Sequence, residues 1–84
     1  MHDRKMLNDK MIPVFSKYLR EYRKENKLTQ TAFAKKLMIT DRQFRNLELG
    51  VDMPNALTLS FFLLLLDKEK SRVFLAELRE AIEN

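Results

Sequence analysis

Apolar side chains return along most of this chain at intervals of three and four, the repeat of helices that each bury one face. Ile12, Phe15, Leu19 and Tyr22 advance by three, four and three, which predicts a helix over about 11–26 with Tyr18 at the edge of its buried side. Pro13 falls in the first turn of that helix, where its missing N–H is not needed. Ala32, Phe33, Ala34 and Leu37 form the buried side of a short helix over about 29–37, leaving Thr31, Lys35 and Lys36 wet, with Thr29 as its cap. Phe44 and Leu47 do the same for a helix over about 40–49, capped by Thr40, with Gln43 three residues later to close a capping box. Gly50 suits the C-cap that ends it. Pro54 and Asn55 introduce a fourth helix over about 55–66, and Phe74, Leu75, Leu78, Ala81 and Ile82 form the stripe of a fifth over about 68–82. Residues 1–10 lack a strong period and are expected as a frayed lead-in. The prediction is an all-α fold, one domain of five helices over 11–84.

The fourth helix departs from the pattern of the others. Leu59, Phe62, Leu63 and Leu66 supply a core face, yet Leu57, Phe61 and Leu64 add a second apolar face at i, i+4 and i+7. A helix apolar nearly all round has to be covered on more than one side. Burying each such side chain is worth about 1.5–3 kcal/mol, so a cover is expected. Two covers are open: the C-terminal helix of the same chain, through Phe74, Leu78 and Ile82, or a second copy across a two-fold axis. Both can hold together.

Residues 28–50 read as two short helices joined by a tight turn at Met38 to Thr40. With Leu28-Thr29-Gln30, Phe33-Ala34, Ile39-Thr40 and Leu47-Glu48-Leu49-Gly50 in register, the stretch resembles the helix-turn-helix of the phage repressor and Cro family, also called XRE-type. With flanking helices counted, the likeness runs over roughly residues 12–66. It implies a lambda-repressor-like five-helix DNA-binding domain whose helix 40–49 enters the major groove. Carried over position by position, Asp41, Arg42, Gln43 and Asn46 are the expected base-contacting residues, and Thr29, Gln30, Lys35, Thr40 and Arg45 the phosphate-contacting ones. Arg42 can grip guanine with two bonds, Asn46 adenine, and Asp41 can accept from cytosine. Asp41 has an equally simple structural role as a negative charge at a helix N-terminus. Arg23 and Glu48 occupy the positions of an ion pair inside the domain, a structural role. The sequence departs from the family pattern at Met38, where glycine is usual, and at Val51-Asp52-Met53-Pro54, where the usual loop is basic.

Charge adds a direction. Sixteen Lys and Arg against twelve Asp and Glu leave a net +4, with residues 1–27 at +4, residues 28–50 at +2 and residues 51–84 at −2. A duplex attracts the first half, and Arg20, Lys24 and Lys27 are placed to approach its backbone. Composition removes other classes. There is no cysteine, and His2 is the only histidine, expected to be solvated, so metal sites and nucleophile–base pairs lack their parts. No Gly-rich phosphate loop is present. No enzymatic activity, metal or cofactor is expected. The longest apolar run, Phe61 to Leu66, is too short for a bilayer, which takes about 20 residues, and charges are scattered through the N-terminus. These features fit a soluble cytoplasmic protein.

The expected partners are double-stranded DNA, a second copy in a homodimer, and a toxin or other protein if the chain is the antitoxin half of an operon rather than a repressor alone. A module of the same fold that binds protein and not DNA stays open, because Met38, Asp52 and the non-basic loop favour it. Salt dependence separates the two, since phosphate contacts release counterions and hydrophobic docking does not.

Overall fold

Side-chain caps decide where four of the helices begin. Thr29 Oγ1 accepts from Ala32 N at 3.0 Å, Thr40 Oγ1 from Gln43 N at 3.1 Å, Asn55 Oδ1 from Thr58 N at 2.8 Å and Asp67 Oδ1 from Lys70 N at 2.7 Å. Each satisfies an N–H that has no partner within its own helix. The computed structural model describes residues 4–83, and among them every regular element is an α-helix: α1 Arg4–Glu25, α2 Gln30–Lys36, α3 Asp41–Leu49, α4 Ala56–Leu65 and α5 Lys68–Glu83.

The core is a chain of aromatic rings to which every helix gives one phenylalanine. Phe15, Phe33, Phe44, Phe62 and Phe74 are all fully buried, with Leu19 and Leu37 filling between them. Phe62 lies 5.3 Å from Phe15 and 5.5 Å from Phe74, both edge to face, and 6.2 Å from Phe33, which is 5.1 Å from Phe44. Edge-to-face rings at these spacings add to what burial alone supplies.

Two expectations about α1 are corrected. The helix starts at Arg4, not near residue 11, so the described part of the lead-in, from Arg4 on, is helical, while Met1 to Asp3 with His2 lie outside the described residues. Pro13 consequently sits well inside the helix. Its ring faces solvent, so the Asp9 carbonyl that loses its helical N–H does so on a wet side, where water can replace the bond. In the added turns Leu7, Asn8 and Lys10 are half-buried. Asn8 lines a groove of about 350 Å³ with Gln43, Asp52 and Asn55, and Ile12 lies against Gly50.

Of the two covers left open for α4, the one within the same chain does not reach its outer face. The fifth helix packs along α1: Tyr18 Oη donates to Glu77 Oε1 at 2.7 Å, Lys17 Nζ to Glu77 Oε2 at 3.0 Å and Lys70 Nζ to Glu25 Oε2 at 2.6 Å. Phe74 and Leu78 do enter the core, and Phe74 touches the inner side of α4 through Phe62. Ile82 and Phe61 are half-buried. The outer face of α4 remains bare, with Leu57 65% and Leu64 80% exposed, and Leu75, expected in the buried stripe, is half exposed. The reason is that α1 offers α5 both an aromatic seat and polar partners, whereas α4, ALTLSFFLLL, has no charge to pair with.

Burial first, then the Glu77 carboxylate, pushes the Tyr18 phenol up to about 12. The Tyr18 hydroxyl, then Lys17, holds the Glu77 carboxyl below its usual range. A depressed carboxyl contributes stability above its unfolded pKa and loses it as pH falls through the lower folded value. Glu77→Gln should therefore melt below the wild type at neutral pH, with the two melting curves converging in acid. A gap that stays constant with pH would contradict this account.

The turn between α2 and α3 takes the left-handed geometry despite its side chain. Met38 has φ +59° and is 75% exposed, and the bend is closed by Met38 N–H to Lys35 O and Ile39 N–H to Ala34 O, both at 3.1 Å. The fold absorbs the strain. Left-handed strain of about 1–2 kcal/mol, offset by the extra unfolded-state freedom of glycine, leaves Met38→Gly more stable by about 0.5–1 kcal/mol. Urea titration of the two proteins measures this.

Candidate nucleic-acid interface

Phe44, Leu47 and Glu48 turn α3 so that its other side faces outward. On that side Asp41, Arg42, Gln43 and Arg45 are exposed and Asn46 is half-buried. Arg42, Arg45 and Asn46 are three and four apart, so they share one face. None of the three side chains bonds another described residue. Two exposed guanidinium groups and a half-buried amide thus keep their donors unbonded within the described chain, a combination suited to guanine and adenine edges and to phosphate.

The remaining residues of the expected set are engaged to different degrees. Asp41 Oδ2 accepts from Thr31 Oγ1 at 2.8 Å, which leaves its second oxygen available. Thr31 was expected only to be wet; the signal for this bond was a hydroxyl near one helix start and a carboxylate at the next. Gln43 Oε1 accepts from Thr40 N at 2.9 Å and Thr40 Oγ1 at 3.2 Å, so the capping box holds the Gln43 carbonyl and leaves its amide N–H groups outside that ring of bonds. The Thr40 hydroxyl both donates and accepts within the cap, and a phosphate would have to compete for it. Thr29 accepts within its own cap. Lys35 is exposed and makes no ion pair among the described residues.

Gln30, expected at a phosphate, also has a partner within the chain. Its Nε2 donates to Glu48 Oε1 at 2.9 Å, inside the body of the domain. Glu48 is 6% exposed and is gripped by both arms of Arg23, Nε to Oε2 at 2.7 Å and Nη2 to Oε1 at 3.1 Å. The pair ties α1 to the end of α3. Arg20 is also drawn inward, since its Nη1 donates to the Glu48 carbonyl at 3.0 Å. A cation at that position answers the partial negative charge of the α3 C-terminus. It is therefore engaged with α3 rather than held out toward a phosphate, while Lys24 and Lys27 stay exposed.

The connection after α3 brings no cation. Val51 and Asp52 are exposed, Pro54 is buried, and the Asn46 carbonyl accepts from Val51 N at 2.9 Å, which closes the chain around Gly50 at φ +77°. Among the described residues no group of His, Asp and Glu is placed to hold a metal ion, and no helix is long and apolar enough to cross a membrane.

A family model described as a helix-turn-helix domain matches residues 17–81, which takes in α2, α3 and α4 whole together with the C-terminal part of α1 and most of α5. No curated protein and no solved structure gives a significant match to the chain.

Proposed function

The chain belongs to this helix-turn-helix family, of the XRE type and made up of DNA-binding regulators, and from that premise we propose that it is a sequence-specific transcriptional regulator, a repressor or antitoxin-type autoregulator, that inserts α3 into the major groove. The observation that carries the reading is the outer face of α3, where Arg42, Arg45 and Asn46 stand together without partners. An idle surface has no need of two unpaired guanidinium groups one turn apart, whereas a groove edge and a phosphate take one each. In this assignment Asp41, Arg42 and Asn46 read bases, Gln43 joins them through its amide, and Lys35, Arg45, Thr29 and Gln30 hold the backbone.

The working unit is a homodimer. The outer face of α4 carries no charge from Ala56 to Leu65 and leaves Leu57 and Leu64 bare. A two-fold contact sets like against like, so a charge-free apolar face is compatible with its own copy. The two-fold would also place two α3 helices on half-sites about one helical turn apart. A toxin or another protein partner could use the same surface in an operon of the antitoxin kind.

A second reading, a protein-binding module without DNA contact, draws on the exposed Asp52 and the lack of any cation between Val51 and Pro54. Selection of duplexes from a random pool, followed by affinity measured from low to moderate salt, separates the two. The regulator selects a half-site repeat and its affinity falls steeply with salt. A chain that enriches no sequence and whose binding ignores salt is not a DNA-reading regulator. Mass in solution should equal two chains.

A further inference from the structure

One donor of the proposed phosphate-facing set is aimed by a group buried beneath it. The Gln30 Nε2 donates to Glu48 Oε1 at 2.9 Å, and that oxygen also accepts from Arg23 Nη2 at 3.1 Å, while Oε2 takes Arg23 Nε at 2.7 Å. Arg23 is itself anchored at its other end, with Nη1 3.5 Å from the Leu28 carbonyl. A buried carboxylate held by both arms of a guanidinium cannot swing, so an amide bonded to it has a set direction. An amide nitrogen carries two hydrogens, about 120° apart in one plane. With one directed at the interior oxygen, the other is directed away from it.

We propose that Glu48, clamped by Arg23, is the positioning residue for Gln30: it orders the glutamine in the free protein so that its second N–H is already presented to a DNA phosphate. The inference rests on the DNA-binding reading above. Its physical content is preorganisation. A free glutamine gives up rotamer freedom when it binds, and one held in place beforehand does not. The ion pair expected from the sequence as purely structural thereby also reaches the ligand, through one hydrogen bond.

The first test needs no DNA. In the wild-type chain, ¹⁵N relaxation of the Gln30 side-chain amide should give an order parameter near that of rigid backbone, roughly 0.85, and a value below about 0.6 would overturn the proposal. In Glu48→Gln a single neutral carbonyl oxygen faces three donors, Arg23 Nε and Nη2 and Gln30 Nε2, and any bond it still gives Gln30 has lost its charge assistance, so the Gln30 signal should become mobile. The second test is a double-mutant cycle on DNA affinity, run where circular dichroism shows every variant folded. Gln30→Ala should weaken binding to all sequences about tenfold in the wild-type background and less than about twofold in Glu48→Gln, because the lost bond is charge-assisted and only an ordered amide makes it fully. Glu48→Asp, which keeps a charge for Arg23 but withdraws the oxygen from Gln30, replaces Glu48→Gln if that variant does not fold. Salt-dependent DNA binding with equal Gln30→Ala losses in both backgrounds overturns this inference and leaves the regulator reading standing. A wild-type chain that binds no DNA overturns both the regulator reading and the phosphate role assigned to Gln30.

Discussion

Phe62→Ala should leave the chain largely unfolded at 37 °C. The ring is fully buried at the meeting point of α1, α2, α4 and α5, in contact with Phe15, Tyr22, Phe33 and Phe74 at 5.3–6.2 Å. Removing a buried phenylalanine costs about 3–5 kcal/mol in lost transfer energy and residual cavity. A domain of this size has a total stability of about 4–12 kcal/mol. The neighbours that would have to close the gap are themselves rings packed on one another, Phe15 on Phe74 at 6.0 Å and Tyr22 on Phe33 at 5.1 Å, so collapse into the cavity is restricted and the upper half of the range applies. Phe61→Ala is the control. It removes the same side chain one position along, half-buried at the margin between the core and the bare outer face of α4, and should lower monomer stability by less while weakening self-association. Urea denaturation across a range of protein concentrations distinguishes the two effects; similar losses for both variants would mean that the ring chain is not the centre of the fold.

That contrast marks what could be read from the chain beforehand. The positions of Phe15, Phe33, Phe44, Phe62 and Phe74 follow from helical spacing within each segment, and the caps Thr29, Thr40 and Asn55 follow from hydroxyl or amide groups just ahead of those segments. Both signals are local. The choice of α1 as the seat of α5 is not local, because an apolar stripe does not name its partner, and the bonds that decide it join Lys17 and Tyr18 to Glu77, about sixty residues away. The early turns of α1 were illegible for a related reason. Leu7 extends the spacing of Met11 and Val14 backward, but alone among Arg4, Lys5, Asn8, Asp9 and Lys10 it is a weak signal, and Asn8 lines its groove only once the α3–α4 connection is in place. At the interface, exposure of Arg42, Arg45 and Lys35 was readable from periodicity and the burial of Glu48 from the family resemblance, but the bonds of Gln30 to its carboxylate and of Arg20 to its carbonyl span 18 and 28 residues, and no local spacing names such partners.

Arg42→Ala should change which DNA the protein prefers more than how strongly it holds DNA in general. The guanidinium has no partner within the described chain, so its removal leaves no buried group unsatisfied, and stability should shift by no more than about 0.5 kcal/mol. On a guanine it supplies two parallel bonds, and the loss of such a bidentate contact removes about 1–3 kcal/mol of discrimination, roughly tenfold to hundredfold, at one base pair. Binding to scrambled duplex should fall only slightly, since one fewer positive charge is a small part of the nonspecific attraction. Arg45→Ala should behave in the opposite way, lowering affinity for cognate and scrambled duplex alike and reducing the salt slope by about one. The two side chains lie one turn apart on the same face with the same charge, so a difference between their variants cannot come from net electrostatics and must come from what each one touches. Equal losses on cognate and scrambled DNA for Arg42→Ala would remove it from the base-reading set.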